Sequence, residues 1–316
     1  MRILFMGTPE LSVPTLESLA ASKHEVIGVV TQPDKPKGRG KEMSHTPVKE
    51  KALELQIPVY QPVKVREPAF IETIRALSPD VIVVIAFGQI LPKSLLSMPR
   101  YGCINIHASL LPKLRGAAPI QWAIINGEAV SGITTMQMDA GIDTGDMLLK
   151  EEIVLDKKET GGSLYDKLSK LGGSLILQTL SLAEEGGLSP IKQEDSLSSY
   201  AKMLDKKMGE IDFSRPAIEI ERLIRGLNPW PSAYTKWDGK TLKIWDADVV
   251  AGSEGAMCGE IIEVTKDSLV IQTKKEALSI KELQLEGKKR MKIDAFLRGC
   301  QINKGEVLKS NLSTDF

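Results

Sequence analysis

Residues Val81–Ala86 read V-I-V-V-I-A, with no polar side chain for either face of an extended segment. A strand that is apolar on both sides must be covered on both sides, which is the position of a central strand in a parallel sheet packed between helices. Parallel neighbours need long crossovers, so the pattern predicts an α/β domain with a mostly parallel sheet. The start of the chain supplies a matching unit. Arg2–Met6 reads as a strand, Gly7-Thr8-Pro9-Glu10 as the turn into a helix reaching Ala21, and Val26–Thr31 as a second buried strand. Thr8 is the candidate N-cap and Pro9 fits the first helical position. Only Gly7 of a G-x-G-x-x-G fingerprint is present, so dinucleotide binding is not indicated.

Helices at Pro47–Leu55 and Pro68–Leu77, with a short strand at Val59 between them, precede the apolar run. The next strand is Cys103–His107, in which Ile104 and Ile106 alternate with Asn105 and His107. Asn105 and His107 therefore share a face at the strand's C-terminal end, where open α/β sheets hold their ligands. Pro112, in Ser109-Leu110-Leu111-Pro112, ends any ladder. The loop Phe87–Pro92 lies beside this strand end if consecutive strands are neighbours. A helix over Ala117–Asn126, a strand over Gly132–Met138, an acidic loop Asp139–Asp146, a strand over Met147–Val154 and a helix over Leu164–Glu185 complete a first domain, residues 1–190.

The polar, serine-rich stretch 191–206 reads as a linker. Residues 207–316 then give short alternating segments at Ala233–Trp237, Thr241–Ala247, Gly259–Val264, Ser268–Thr273 and Ala277–Glu282, with Asp238-Gly239 as a turn. That spacing predicts a small β-barrel. Asn228-Pro229-Trp230-Pro231 is a rigid turn whose indole is expected to pack within the domain.

Charge narrows the partners. The 316 residues carry 41 basic and 41 acidic side chains, so any contact with nucleic acid has to come from a local patch. Two patches qualify: Lys35, Lys37, Arg39 and Lys41 in the Pro- and Gly-rich segment Gln32–Thr46, and Lys288, Lys289, Arg290 and Lys292 near the end. The first reads as a mobile loop, either a solvated one or an anion-binding one; the second is equally an exposed turn kept soluble by its lysines. Cys103, Cys258 and Cys300 form neither a disulfide framework nor a zinc pattern, and they suit a reducing cytosol. With no apolar run of spanning length and no signal-peptide pattern, the expectation is a cytoplasmic protein without membrane contact.

The chemistry is concentrated in few residues. Of the three histidines, His24 and His45 have no evident partner, whereas His107 shares its strand face with Asn105 and has Asp139, Asp143 and Asp146 within reach if the next strand lies alongside. An amide can donate to an oxyanion, an imidazole can pass a proton near neutral pH, and a carboxylate can fix that imidazole. This is equipment for acyl transfer. Ser109 is a poor hydrolase nucleophile, because it lacks G-x-S-x-G and precedes L-L-P.

N-I-H-A-S-L-L-P at Asn105–Pro112, R-G-A-A-P-I at Arg115–Ile120 and M-Q-M-D-A-G-I-D-T-G-D-M at Met136–Met147 closely resemble the folate-dependent formyltransferases. The M-G-T-P-E start, the T-Q-P-D-K-P-K-G-R-G-K loop and N-P-W-P at Asn228–Pro231 resemble the members that act on tRNA. The resemblance spans nearly the whole chain. It implies a Rossmann-like formyltransferase domain followed by a smaller OB-fold-like β-barrel that binds tRNA. It implies transfer of formyl from 10-formyltetrahydrofolate to the α-amino group of methionine on initiator methionyl-tRNA; a monomer without a metal is expected. Carried over residue by residue, Asn105, His107 and Asp143 match the catalytic trio and Ser109, Leu110, Leu111 and Pro112 the folate-binding segment. The resemblance also implies tRNA contacts for Lys35, Lys37, Arg39 and Lys41, with Lys288, Lys289 and Arg290 as candidates in the second domain. Glycinamide ribonucleotide transformylases and formyltetrahydrofolate hydrolases share the Asn-His-Asp core, but neither explains the basic loop joined to this C-terminal domain. A tRNA-binding module with a decayed catalytic half would not have kept Asn105, His107 and Asp143.

Overall fold

The computed structural model describes residues 1–37 and 42–308. It divides into two compact units: Met1–Pro119 with Val130–Val154 and Tyr165–Ala201, and Ile120–Ala129 with Leu155–Leu164 and the chain from Lys202 onward.

The first unit is built from β1 (Arg2–Gly7), α1 (Val13–Ala20), β2 (Glu25–Val30), β3 (Lys35–Lys37), β4 (Glu42–Ser44), α2 (Pro47–Glu54), β5 (Val59–Tyr60), α3 (Pro68–Leu77), β6 (Val81–Ile85), α4 (Lys93–Leu96), β7 (Cys103–His107) and β8 (Arg115–Gly116). After α5 (Pro119–Ile125) come β9 (Val130–Gln137), β10 (Met147–Val154), α6 (Gly161–Glu185) and β11 (Tyr200–Ala201). Seven strands form one sheet in the order β10-β9-β7-β6-β1-β2-β5. The five from β7 to β5 are parallel, and β9 and β10 add antiparallel strands at one edge.

Every residue of β6 is buried, as its sequence requires. Ile106 and Ile85 lie under α6 at Gly172, where an added Cβ would stand 2.8 Å from Thr15 Oγ1 of α1. On the opposite face Cys103 joins the core of Leu4, Met6, Ile82 and Val84, and Asn105 and His107 follow it along that face.

The first turn differs from expectation. Glu10–Ser12 is a 3-10 turn, and α1 begins only at Val13. Thr8 caps nothing: its hydroxyl donates to the Phe87 carbonyl at 3.0 Å, tying the loop after β1 to the loop after β6. Gly7 allows this close turn, since a Cβ there would sit 2.8 Å from that of Ser12.

The second unit carries α7 (Ala217–Gly226) and then β12 (Ala233–Trp237), β13 (Lys240–Val250), β14 (Ile261–Val264), β15 (Leu269–Gln272), β16 (Ala277–Leu285), β17 (Met291–Lys292) and α8 (Ile293–Gly299). Its sheet is antiparallel throughout, ordered β12-β13-β16-β15-β14 with β17 on β16. Asp238 and Gly239, both at positive φ, make the two-residue turn between β12 and β13. Register shifts around Asp246 bend β13 about a core of Ile244, Ile271, Ile280, Leu283, Ile224 and Phe296. Trp230, expected to pack within the domain, is instead 55% exposed, on the turn between α7 and β12.

Candidate active site

The loops that follow the parallel strands are tied to one another. Thr8 follows β1, Gln32 follows β2, and both donate to the Phe87 carbonyl after β6, at 3.0 and 3.2 Å. β7 ends beside them with His107, 6% exposed. Its Nε2 stands 2.9 Å from the Leu114 carbonyl. A carbonyl only accepts, so Nε2 carries the hydrogen and Nδ1 is the ring nitrogen left for another partner. Leu114 reaches this position in the left-handed region, φ +58°, held by a bond from its own N–H to Ser199 Oγ. A non-glycine residue there costs on the order of 1–3 kcal/mol, which the two hydrogen bonds offset. The Asn105 side-chain amide has no hydrogen-bond partner among the described residues and is half-buried beside the ring.

Asp143 arrives by an indirect route. β9 runs antiparallel to β7, with Gln137 opposite Ile104 and Thr134 opposite His107. The acidic loop therefore leaves beside the beginning of β7 and folds back. Asp139 braces it from within, accepting from Gly141 N–H and the Thr144 hydroxyl. Asp143 is left-handed at φ +54°, a conformation Asp tolerates better than most residues. Its Oδ2 accepts from Gly116 N–H at 2.8 Å and lies 3.6 Å from His107 Nδ1. That second distance exceeds a hydrogen bond, so the ring nitrogen faces a carboxylate without being closed off by it. The expected Asn-His-Asp group is thus brought together, whereas Asp139 is used inside its own loop.

A formyl transferase family model matches residues 1–180, and the formyl transferase C-terminal domain model matches 203–301. The methionyl-tRNA formyltransferase of Agathobacter rectalis is 57% identical over 96% of this chain and 98% of its own length. That of Lachnospira eligens is 54% identical over 98% and 99%. This chain belongs to the methionyl-tRNA formyltransferase family. In fold it is similar to WlaRD, a sugar 3N-formyl transferase solved in the presence of dTDP and 5-N-formyl-THF, with a TM-score of 0.66 at 20% identity over 92% of this chain and 99% of that one.

The segment that the resemblance assigns to folate is held by residues invisible to motif reading. Ser109 is buried and its hydroxyl donates to the Lys113 carbonyl, closing a turn. Thr134 Oγ1 donates to the Ser109 carbonyl and accepts from Leu111 N–H. Lys150, its ammonium held below the ordinary lysine range by burial, donates to the Leu111 carbonyl ahead of the cis Leu111–Pro112 bond. Leu111 is buried, while Leu110 and Pro112 keep part of their apolar surface open. A threonine inside an apolar strand was the only sequence signal for this support.

The basic residues fall into different settings. Within the segment read as a mobile loop, Lys35–Lys37 pairs antiparallel with Glu42–Ser44, so its two described arms form a short hairpin. Lys35 is exposed, and Arg39 and Lys41 lie outside the described residues. Asp34 clamps the hairpin's base: it accepts from Lys49 at 2.6 Å and Gln61 at 2.7 Å, and bonds His45 at 2.9 Å. Those donors, Lys49 foremost, hold its carboxyl down at about 2. In the second unit Lys288 and Lys289 are exposed, whereas Arg290 is engaged, 2.5 Å from Glu282 and 4.7 Å from the centre of the Trp245 ring. No helix among the described residues is long and apolar enough to cross a membrane.

Proposed function

We propose that this chain transfers the formyl group of 10-formyltetrahydrofolate to the α-amino group of methionine on initiator tRNA, giving N-formylmethionyl-tRNA. The observation that carries the reading is the convergence of the unpartnered Asn105 amide, the His107 ring with its Nε2 proton fixed, and the Asp143 carboxylate at the end of one strand. The open apolar surface of Leu110 and Pro112 beside them suits a flat heteroaromatic ring, in keeping with a folate donor.

The donor supplies an activated formyl carbon. Asn105 and the protonated Nδ1 of His107 donate to the formyl oxygen as the amine lone pair forms the new C–N bond and the carbonyl electrons move onto that oxygen. His107 Nδ1 then gives its proton to the folate nitrogen as the old C–N bond breaks and the carbonyl re-forms. The proton lost by the attacking amine restores the ring. Asp143 supplies negative charge beside the imidazole while that ring is positive, with Gly116 N–H keeping the carboxylate in place.

The tRNA end of the reading is supported by the exposed Lys35 on the anchored hairpin and by Lys288 and Lys289 on the second unit. Three free thiols fit the cytoplasm, where translation begins. The test is formyl transfer from 10-formyltetrahydrofolate to charged initiator tRNA, with glycinamide ribonucleotide as a parallel acceptor. Transfer to the tRNA alone is expected, and transfer to the ribonucleotide alone would overturn the reading.

A further inference from the structure

Asp143 is not held by its own loop alone. Gln193, 6% exposed and fifty residues further along the chain, aims its carboxamide at the loop's backbone. Nε2 donates to the Asp143 carbonyl at 2.8 Å and to the Gly145 carbonyl at 2.7 Å. Oε1 accepts from Arg115 Nε at 2.9 Å. Both amide hydrogens and the amide oxygen are engaged, and only a primary amide of this length can donate twice on one side and accept on the other.

The clamp is itself anchored at both ends. Two residues before it, Ile191 exchanges both backbone hydrogen bonds with Met147, which follows the acidic loop. Beyond it, Ser199 accepts from the Arg115 and Leu114 N–H groups, and β11 pairs with β8. Arg115 and Gly116 are therefore fixed by the same segment, and Gly116 N–H is the donor to Asp143 Oδ2.

We propose that Gln193 is a positioning residue for formyl transfer: it locks the left-handed turn at Asp143 from outside and so sets the carboxylate at its station beside His107 Nδ1. The proposal rests on the reading of Asp143 given above. Without the clamp, the Asp143 and Gly145 carbonyls lose this donor, the turn relaxes, and the carboxylate leaves its place by a fraction of its length. Displacements near 1 Å cost roughly a hundredfold in rate when the group acts on the reacting centre.

Gln193→Met keeps the volume and removes the hydrogen bonds. It is measured alone and in an Asp143→Asn background, in single-turnover transfer to charged tRNA with donor affinity read on the same samples. The expected result is a rate loss of tenfold or more with donor affinity nearly unchanged, and little further loss once Asp143→Asn is present, since nothing is left to position. A merely structural role lowers the rate by the same factor in both backgrounds, and that outcome overturns the proposal. So does a full rate in Gln193→Met while Asp143→Asn is slow. A full rate in Asp143→Asn instead overturns the underlying reading of the acid. Gln193→Asn, one methylene too short to span both carbonyls, is expected to behave like Gln193→Met and provides a second route if the first variant is unstable.

Discussion

At the end of β7 the Asn105 amide makes no hydrogen bond among the described residues and His107 faces a carboxylate at 3.6 Å, whereas on β13 and β16 of the antiparallel sheet Asp248 is held by Lys158 and Lys281, and Glu282 by Arg290, at 2.5 to 3.4 Å. Trp237 of that sheet likewise donates to Glu306 at 2.8 Å. The two places thus treat polar groups differently. Leaving a donor without a partner costs stability and persists where another molecule is to take its place; ion pairs laid across a sheet help to make a scaffold. Polar side chains of the first unit should therefore govern rate, and those of the second should govern integrity and attraction.

The largest expected effect tests the first half of this contrast. His107→Ala removes the ring whose proton is poised at the strand end, and the single-turnover rate should fall by roughly two to four orders of magnitude. Donor affinity should stay close to that of the unaltered protein, because the folate segment is held by Thr134 and Lys150 rather than by the ring. A variant that keeps most of its rate would erase the distinction.

The second half is tested in the core of the other unit. Phe296 is 1% exposed and meets the Trp237 ring edge-on, with centroids 5.8 Å apart. Phe296→Ala should lower unfolding stability by about 3–5 kcal/mol, read from denaturant midpoints. Chemistry per folded molecule should hardly change. A large loss of single-turnover rate with a normal midpoint would show that the antiparallel unit takes part in the reaction.

The same contrast governs what was legible in the sequence. Strands wrote themselves into local pattern: V-I-V-V-I for β6, alternation for β7, and Asp-Gly between β12 and β13. Asn105 and His107 followed from alternation alone. Asp143 did not, because β9 is antiparallel to β7 and only long-range bonds fold its loop back. Resemblance named Asp143; geometry explains how it gets there. Gln193 was hidden in a stretch whose polarity reads as connection, since a buried amide and a solvated one look alike in sequence. Thr8 suited a helix cap by residue type, but the Phe87 carbonyl brought near by the sheet was a better partner than the helix end.

The smallest expected effect separates neighbours within one basic cluster. Lys288 and Lys289 are exposed, while Arg290 is committed to Glu282 and stacked on Trp245, where Lys243 also lies 5.6 Å from the ring centre. A free cation that meets a phosphate releases a counterion on binding, and a paired one adds much less. The double variant Lys288→Ala with Lys289→Ala should weaken transfer through tRNA by under about tenfold and flatten the logarithmic salt dependence by on the order of 0.7–0.9 for each phosphate no longer neutralised. Arg290→Ala should leave that slope nearly intact and act through weakened packing on Trp245. Equal slopes in all three proteins would mean that the exposed lysines keep the second unit soluble and nothing more, and attraction of tRNA would then fall to the hairpin of the first unit.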